Sequence, residues 1–313
     1  MKKEAEFYQT HLETVSRSFA YCISRLDSPL REWTGLAYLL CRVLDTVEDS
    51  PWRSPDLQIQ KLKEFRTLFV ESQQFKGELN FEWKPQLAAP IPEGEQKLLQ
   101  ETPQLYHFFK SHPEKVRIVL RELLDKMSNG MEKFIGLTRR QRIQNMKELN
   151  EYCYYVAGVV GEAMTRLVAI KSNLEPSHAF VSTDSFKKAF HFGLFLQKIN
   201  ILKDQFKDEK EGRYFIFNRQ AVLDSLSEHS KCTFEYILSI PNHERGYRIF
   251  CATSFFLGLA TLPLLQMQTS ADIEPKVERE IVLELFHEIE KRADSNEKLE
   301  ELYQGFAEFK LQS

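Results

Sequence analysis

Glycine and proline are scarce in this 313-residue chain, 12 of each, against the roughly 7% and 5% of an average protein. That excludes collagen-like and loop-dominated architectures. Cysteine is sparse as well. Cys22, Cys41, Cys153, Cys232 and Cys251 form no C-x-x-C pair and are odd in number, which argues against a zinc knuckle or disulfide framework and predicts reduced, mostly buried thiols in a cytosol. No charge of one sign dominates: 42 Lys+Arg stand against 45 Asp+Glu, a net charge of −3, so there is no field to hold nucleic acid by counterion release. Long hydrophobic runs are missing too. The longest, 250–265, is interrupted by Thr253, Ser254, Gly258, Thr261 and Pro263 and falls short of the ~18 residues of a spanning helix, so a core helix is expected there. The N-terminus lacks the apolar stretch of a secretory signal, and the polar residues 304–313 predict no C-terminal membrane anchor.

What is present is the palette of packed helices: 42% hydrophobic residues with abundant Leu, Glu, Lys, Gln and Phe. Val116, Val119, Leu120, Leu123, Leu124 and Met127 recur at spacings of three and four, one face of a helix. No period-2 alternation persists. The pattern predicts an all-α fold, a helical bundle in one domain over 1–313. Helices are expected near 5–24, 30–48, 56–74, 95–109, 114–135, 139–170, 184–208, 217–227, 245–267 and 275–310.

Two acidic groups carry chemistry. In DTVED, Asp45, Glu48 and Asp49 lie at i, i+3 and i+4, so a helix crowds three carboxylates onto one face. Such repulsion costs stability unless a cation binds, and hard oxygens suit Mg²⁺, which takes one or two protein carboxylates and completes its shell with water and substrate phosphates. For an isolated motif a solvated acidic helix end would be the plainer account. A second face, Asn200, Asp204 and Asp208 at i, i+4 and i+8, makes the pair more specific, since two such faces opposed across an apolar cavity would clamp a diphosphate. Arg42, Lys203, Lys207 and Arg213 lie beside these groups as phosphate-binding cations or as surface ion pairs. Between them, Gly158 and Gly161 interrupt a helix at a cost of roughly 1 kcal/mol each relative to Ala. Either a neighbouring helix packs closely there or the missing side chains leave room for an apolar ligand, with Phe190, Phe192 and Phe195 as a second wall or as plain core.

These residues resemble the squalene and phytoene synthase family, and within it the squalene synthase branch. The likeness is carried by Ser16-Arg17-Ser18-Phe19, by YLLCRVLDTVED from Tyr38 to Asp49, by YCYYVAGVVGEAMTRL from Tyr152 to Leu167, and by GLFLQKINILKDQFKDEKEGR from Gly193 to Arg213. It implies an isoprenoid synthase fold and a Mg²⁺-dependent prenyltransferase that joins two farnesyl diphosphates head to head into presqualene diphosphate. Squalene synthases then reduce that intermediate with NADPH. By the resemblance, Asp45, Glu48, Asp49, Asn200, Asp204 and Asp208 hold metal, while Ser16, Arg17, Tyr38, Arg42, Lys203 and Arg213 grip diphosphates. Tyr152 assists proton removal or steadies cations, and Phe19, Val156, Ala157, Gly158, Leu194 and Gln197 shape the prenyl pocket. The implied partners are a prenyl diphosphate and, for product release, a peripheral membrane contact by a cytoplasmic protein.

The chain departs from the family pattern in four places. Lys203 replaces an arginine, Lys207 replaces a glutamate, and Tyr154 stands where the branch usually has histidine. Residues 275–280 (PKVERE) replace the basic, glycine-containing stretch of NADPH users, which predicts little NADPH dependence unless Arg245 or Arg248 supplies the phosphate contacts instead. Related C30 or C40 synthases of the dehydrosqualene or phytoene type, and a non-catalytic assembly factor, are the competing functions.

Overall fold

Apolar residues spaced three and four apart become helices along nearly the whole chain. The structure is a computed structural model that describes residues 2–70, 87–140 and 142–309, with the side chains of residues 2, 3, 17, 70, 136–140 and 307–309 outside that description. The helices are α1 (Lys2–Val15), α2 (Arg17–Ser24), α3 (Leu30–Asp49), α4 (Pro55–Val70), α5 (Glu93–Gln100), α6 (Thr102–Ser111), α7 (Glu114–Arg140), α8 (Met146–Cys153), α9 (Val159–Lys171), α10 (Thr183–Lys210), α11 (Arg219–Ser239), α12 (Arg245–Met267), α13 (Arg279–Arg292) and α14 (Asn296–Phe309). A π-helical turn, Tyr154–Gly158, joins α8 to α9, and a 3₁₀ turn spans Ala179–Val181. Among the described residues there is no β-strand, only an isolated bridge between Trp52 and Leu87. The all-α expectation holds.

Contacts gather the chain into two units, Met1–Leu137 with Arg166–Asn173, and Thr138–Thr165 with Leu174–Ser313. In the first, α3 is the core element. Leu36, Leu39, Leu40, Val43, Leu44 and Val47 follow the 3–4 spacing and are fully buried, each worth about 1.5–3 kcal/mol relative to exposure. Phe65, Phe69 and Phe109 extend this core, with Phe69 4.6 Å from Phe65 and 5.5 Å from Phe109 between ring centroids.

In the second unit α10 is the central helix, packed by α8, α11, α12 and the π turn. Ser182 caps its start, accepting from the Ser185 N–H at 3.2 Å. Its end is fixed by Gly212, whose φ of 76° is the left-handed conformation that glycine adopts without strain. The Gly212 N–H then donates to the Glu209 carbonyl at 3.1 Å and the Arg213 N–H to the Asp208 carbonyl at 2.8 Å. Arg248 of α12 is fully buried and donates to the carbonyls of Ala293 and Ile240 and to Asn296 Oδ1. The expected core helix at 250–265 is thus confirmed within α12. Two helical stretches, Met146–Lys171 and Arg245–Met267, are long and apolar enough to cross a membrane, with 50% and 61% of their most apolar windows buried.

Several boundaries differ from the sequence reading. The helix expected over 5–24 breaks at Ser16, whose backbone is extended at φ −165° and ψ 98°. That expected over 95–109 divides at Glu101, just before Pro103, whose ring suits a helix start. The one expected from 139 begins only at Met146, because Asn145 accepts from the Glu148 N–H and caps a new helix there. The 217–227 helix runs on to Ser239 because Phe234, Tyr236 and Ile237 continue its buried face. The 275–310 helix starts late and splits between Arg292 and Asn296, where Ser295 Oγ accepts from the Lys298 N–H. The portion of 56–74 beyond Val70 lies outside the described residues.

Candidate active site

In the first unit, Tyr38, Arg42, Asp45 and Asp49 fall at spacings of four, three and four on α3, so they form one stripe. The break at Ser16 brings its side chain into a hydrogen bond with the Tyr38 hydroxyl, whose pKa burial pushes up while that bond opposes the rise. The Phe19 ring lies 5.1 Å from that of Tyr38. Arg17 opens α2, and its side chain lies outside the described residues. One turn on, Arg42 pairs with Glu95 of α5, and its Nε is buried without a hydrogen-bond partner among the described residues. Burial works against the Arg42 charge, but Asp45 and Glu95 outweigh it and raise its pKa. Asp45 is pushed up to about 7, by burial first, with Arg42 opposing and Asp49 and Glu95 adding to the rise. Glu48 is half-buried and Asp49 exposed. Glu95 is a member of this group that the motif reading missed, since nothing in the local sequence of α5 announces its partner.

In the second unit, Tyr152 is buried, its ring 4.9 Å from Phe215. Val156, Ala157 and Gly158 lie in the π turn. A Cβ on Gly158 would sit 2.9 Å from the Tyr154 ring and 3.2 Å from Phe190. On Gly161 it would meet the Ala189 carbonyl oxygen at 2.3 Å, and on Gly193 the Ala157 carbonyl carbon and oxygen at 2.5 Å. Of the two readings left open for the helical glycines, close helix packing is the one this geometry favours. Leu194 is fully buried and Gln197 half-buried. Phe195 is core, packed on Phe255 at 5.3 Å.

Along α10, Asn200, Asp204 and Lys207 are exposed and Lys203 is half-buried. Asp208 is buried, and Arg213 donates to it at 2.5 Å and to Glu211 at 2.9 Å. The turn at Gly212 creates this pair by folding residue 213 back onto the last turn of α10. The sequence pattern also missed a polar network nearer the middle of α10. Lys198, fully buried, donates to Ser225 Oγ at 2.9 Å and lies 2.7 Å from His229 Nε2, while His229 Nδ1 lies 2.8 Å from His191 Nδ1. Burial lowers Lys198 to about 8 and His229 to about 3, with Lys198 the next cause for the histidine.

Whether these donors suit a divalent cation is a question of their chemistry. Asp45, Glu48 and Asp49 offer hard oxygens on one helix end, and the Asp45 carboxyl, raised by burial first and then by Asp49 and Glu95, is one whose charged form a cation would favour. In donor chemistry that set fits Mg²⁺. The α10 set is sparser, because Asp208 is engaged by Arg213. Among the described residues no three His, Cys, Asp or Glu side chains are gathered so as to hold a metal ion by themselves, so water and substrate phosphates would have to complete the shell. Arg248 is fully buried and spent on backbone carbonyls and Asn296, whereas Arg245 is exposed, in a surface pair with Asp294 and the Glu290 carbonyl, so of the two only Arg245 stands within reach of a cofactor phosphate.

The fold and these helix-borne carboxylates define a class of all-α proteins. The squalene/phytoene synthase family model matches residues 12–217, and the chain belongs to that family. It is 30% identical over 295 residues to the squalene synthase of Eremothecium gossypii, covering 84% of this chain and 63% of that protein. To the squalene synthase of Bos taurus it is 31% identical over 205 residues, covering 66% and 44%. It therefore spans less than two thirds of the length of either relative. The solved structure of TcSQS with the ligand E5700 superposes with a TM-score of 0.78 at 24% identity, over 98% of this chain and 92% of that one, a likeness of fold.

Proposed function

We propose that residues 1–313 act as one synthase that condenses two farnesyl diphosphates head to head into presqualene diphosphate. The observation that carries this reading is the α3 stripe, where Arg42 and the Asp45 carboxyl group stand together in a chain of this family. Arg17, Arg42 and Arg213 bind phosphate oxygens, with Lys203, Ser16 and Tyr38 orienting them. Asp45, Glu48 and Asp49 on α3, and Asn200, Asp204 and Asp208 on α10 once Asp208 gives up Arg213, would each hold Mg²⁺, which would supply charge neutralisation to the departing diphosphate. Phe19, Val156, Ala157, Gly158, Leu194 and Gln197 line the prenyl chains and exclude water. The allylic C–O bond of one substrate breaks, the double bond of the second attacks the cation, and loss of a proton closes the cyclopropane. Tyr152, buried against Phe215, stands as the aromatic group that steadies the cation and assists that proton loss.

Reduction of the intermediate is not favoured. Glu278 and Glu280 sit with Lys276 and Arg279 at the start of α13, where a helix would otherwise attract phosphate, and they cancel those cations, so that end offers an anionic cofactor no net positive charge. The protein acts in the cytoplasm with peripheral membrane contact for its long-chain, amphiphilic product, a membrane contact supported by exposed Met267, Ile273, Ile281 and Leu283 around the end of α12 and the start of α13. The test is product analysis by mass spectrometry after incubation with farnesyl diphosphate and Mg²⁺, with and without NADPH. Presqualene diphosphate in both arms is expected. Squalene only with NADPH would make the chain a complete squalene synthase, dehydrosqualene or a C40 hydrocarbon would move it to another branch, and no product from any prenyl diphosphate would leave a non-catalytic role.

A further inference from the structure

The last turn of α3 ends in carbonyls that the helix itself leaves open, and three of them, those of Thr46, Val47 and Glu48, are taken by side-chain or backbone groups from the following segment. Thr46 O accepts from the Ser50 N–H at 3.1 Å and from the Ser50 hydroxyl. Val47 O accepts from Trp52 Nε1 at 2.7 Å and from Gln58 Nε2 at 2.9 Å. Glu48 O accepts from the same Gln58 nitrogen. A single amide thus spans two successive carbonyls, a placement that few side chains reproduce. Gln58 stands in the first turn of α4, and Ser54 Oγ, accepting from the Leu57 N–H at 3.3 Å, fixes that turn.

Gln58 is fully buried, and its own carbonyl oxygen has no hydrogen-bond partner among the described residues. An apolar side chain of the same shape would avoid that cost, so packing alone does not account for glutamine here. Its two N–H groups do. They also draw electron density away from the helix C-terminus, whose partial negative charge otherwise adds to the repulsion among the carboxylates just above it.

We propose that Gln58 and Trp52 are positioning residues for the α3 carboxylates: by holding the Val47 and Glu48 carbonyls they fix the turn that carries Asp45, Glu48 and Asp49 in a cation-binding arrangement. The proposal rests on the reading of those carboxylates as a divalent-cation site. Neither residue touches the cation. Orienting groups of this kind typically govern about 10- to 100-fold in metal affinity.

The experiment titrates the full chain with Mn²⁺, following free Mn²⁺ by electron paramagnetic resonance well below the melting temperature. It compares the parent chain with Gln58→Met, Trp52→Phe and Asp45→Asn, and melting is recorded for each by circular dichroism. Asp45→Asn identifies the part of the binding that belongs to α3. Gln58→Met is expected to weaken that part by about tenfold, and Trp52→Phe by less, because Val47 O keeps the Gln58 bond. If Asp45→Asn loses Mn²⁺ while folded Gln58→Met binds like the parent, the positioning role is wrong and only a structural one remains. If Gln58→Met does not fold, an unchanged Mn²⁺ affinity in Trp52→Phe overturns the proposal in the same way. Parent-like binding by Asp45→Asn would overturn the metal reading itself, and this proposal with it.

Discussion

Asp45 must hold a negative charge where burial and two neighbouring carboxylates oppose it, helped only by Arg42. Its replacement separates stability from activity. Asp45→Asn should keep or raise the melting temperature, because the repulsion goes, while turnover of farnesyl diphosphate falls by ~10²–10³, the usual loss when preorganised electrostatic help is removed. Calorimetry and product assay on the same preparation check both halves, and a large drop in melting temperature would contradict the account. On α10 the opposite change is informative. Lys207 places an exposed cation near Asp204 and Asp208, so Lys207→Glu should lower the Mg²⁺ concentration giving half-maximal activity; a raised or unchanged requirement would show that its ammonium does not act on that face. Arg213 was legible as a cation in the right place, but its bond to Asp208 was not, since it depends on the backbone reversal at Gly212.

At the scale of elements, α3 could be read almost residue by residue, because its buried stripe and acidic end share one helical period. The split at Ser16 could not, because the apolar spacing runs straight through it and only the backbone departs. The π turn is hidden for a related reason: its residues have ordinary helical propensities, and what distinguishes it is the hydrogen-bond step. Helical glycines were visible, yet their purpose was ambiguous until the approach of α10 was known. Gly161 supplies the test. At an unconstrained helix position Gly→Ala gains up to about 1 kcal/mol, but here the added methyl meets a backbone oxygen, so Gly161→Ala should cost about 1–3 kcal/mol in urea denaturation.

For the molecule as a whole, acid sensitivity is built into the second unit. His229 is held down to about 3 when folded, by burial first and then by Lys198 and His191, whereas an unfolded histidine titrates near 6.5. Between those values the unfolded chain binds a proton that the folded chain refuses. The stability associated with a neutral His229 is therefore complete above about pH 6.5 and is lost as pH falls toward 3. Between pH 7 and pH 4 His229 works to lower the melting temperature, while Asp45, raised to about 7 when folded, works to raise it as it takes up a proton. His229→Gln should therefore raise the melting temperature at pH 4 relative to that at pH 7, and an unchanged profile would place the sensitivity elsewhere.

The π turn at Tyr154–Gly158 also has a consequence for the length of the chain. Such a turn amounts to one inserted residue in a continuous helix. Because the wide turn absorbs the extra residue, deleting one residue from it would leave an uninterrupted α-helix with α8 and α9 facing nearly as before. Tyr152 would keep the Phe215 side and Gly161 its place against Ala189. A variant shortened by one amino acid would thus be expected to keep both its helix content and its aromatic packing, which far-ultraviolet and near-ultraviolet circular dichroism would report separately.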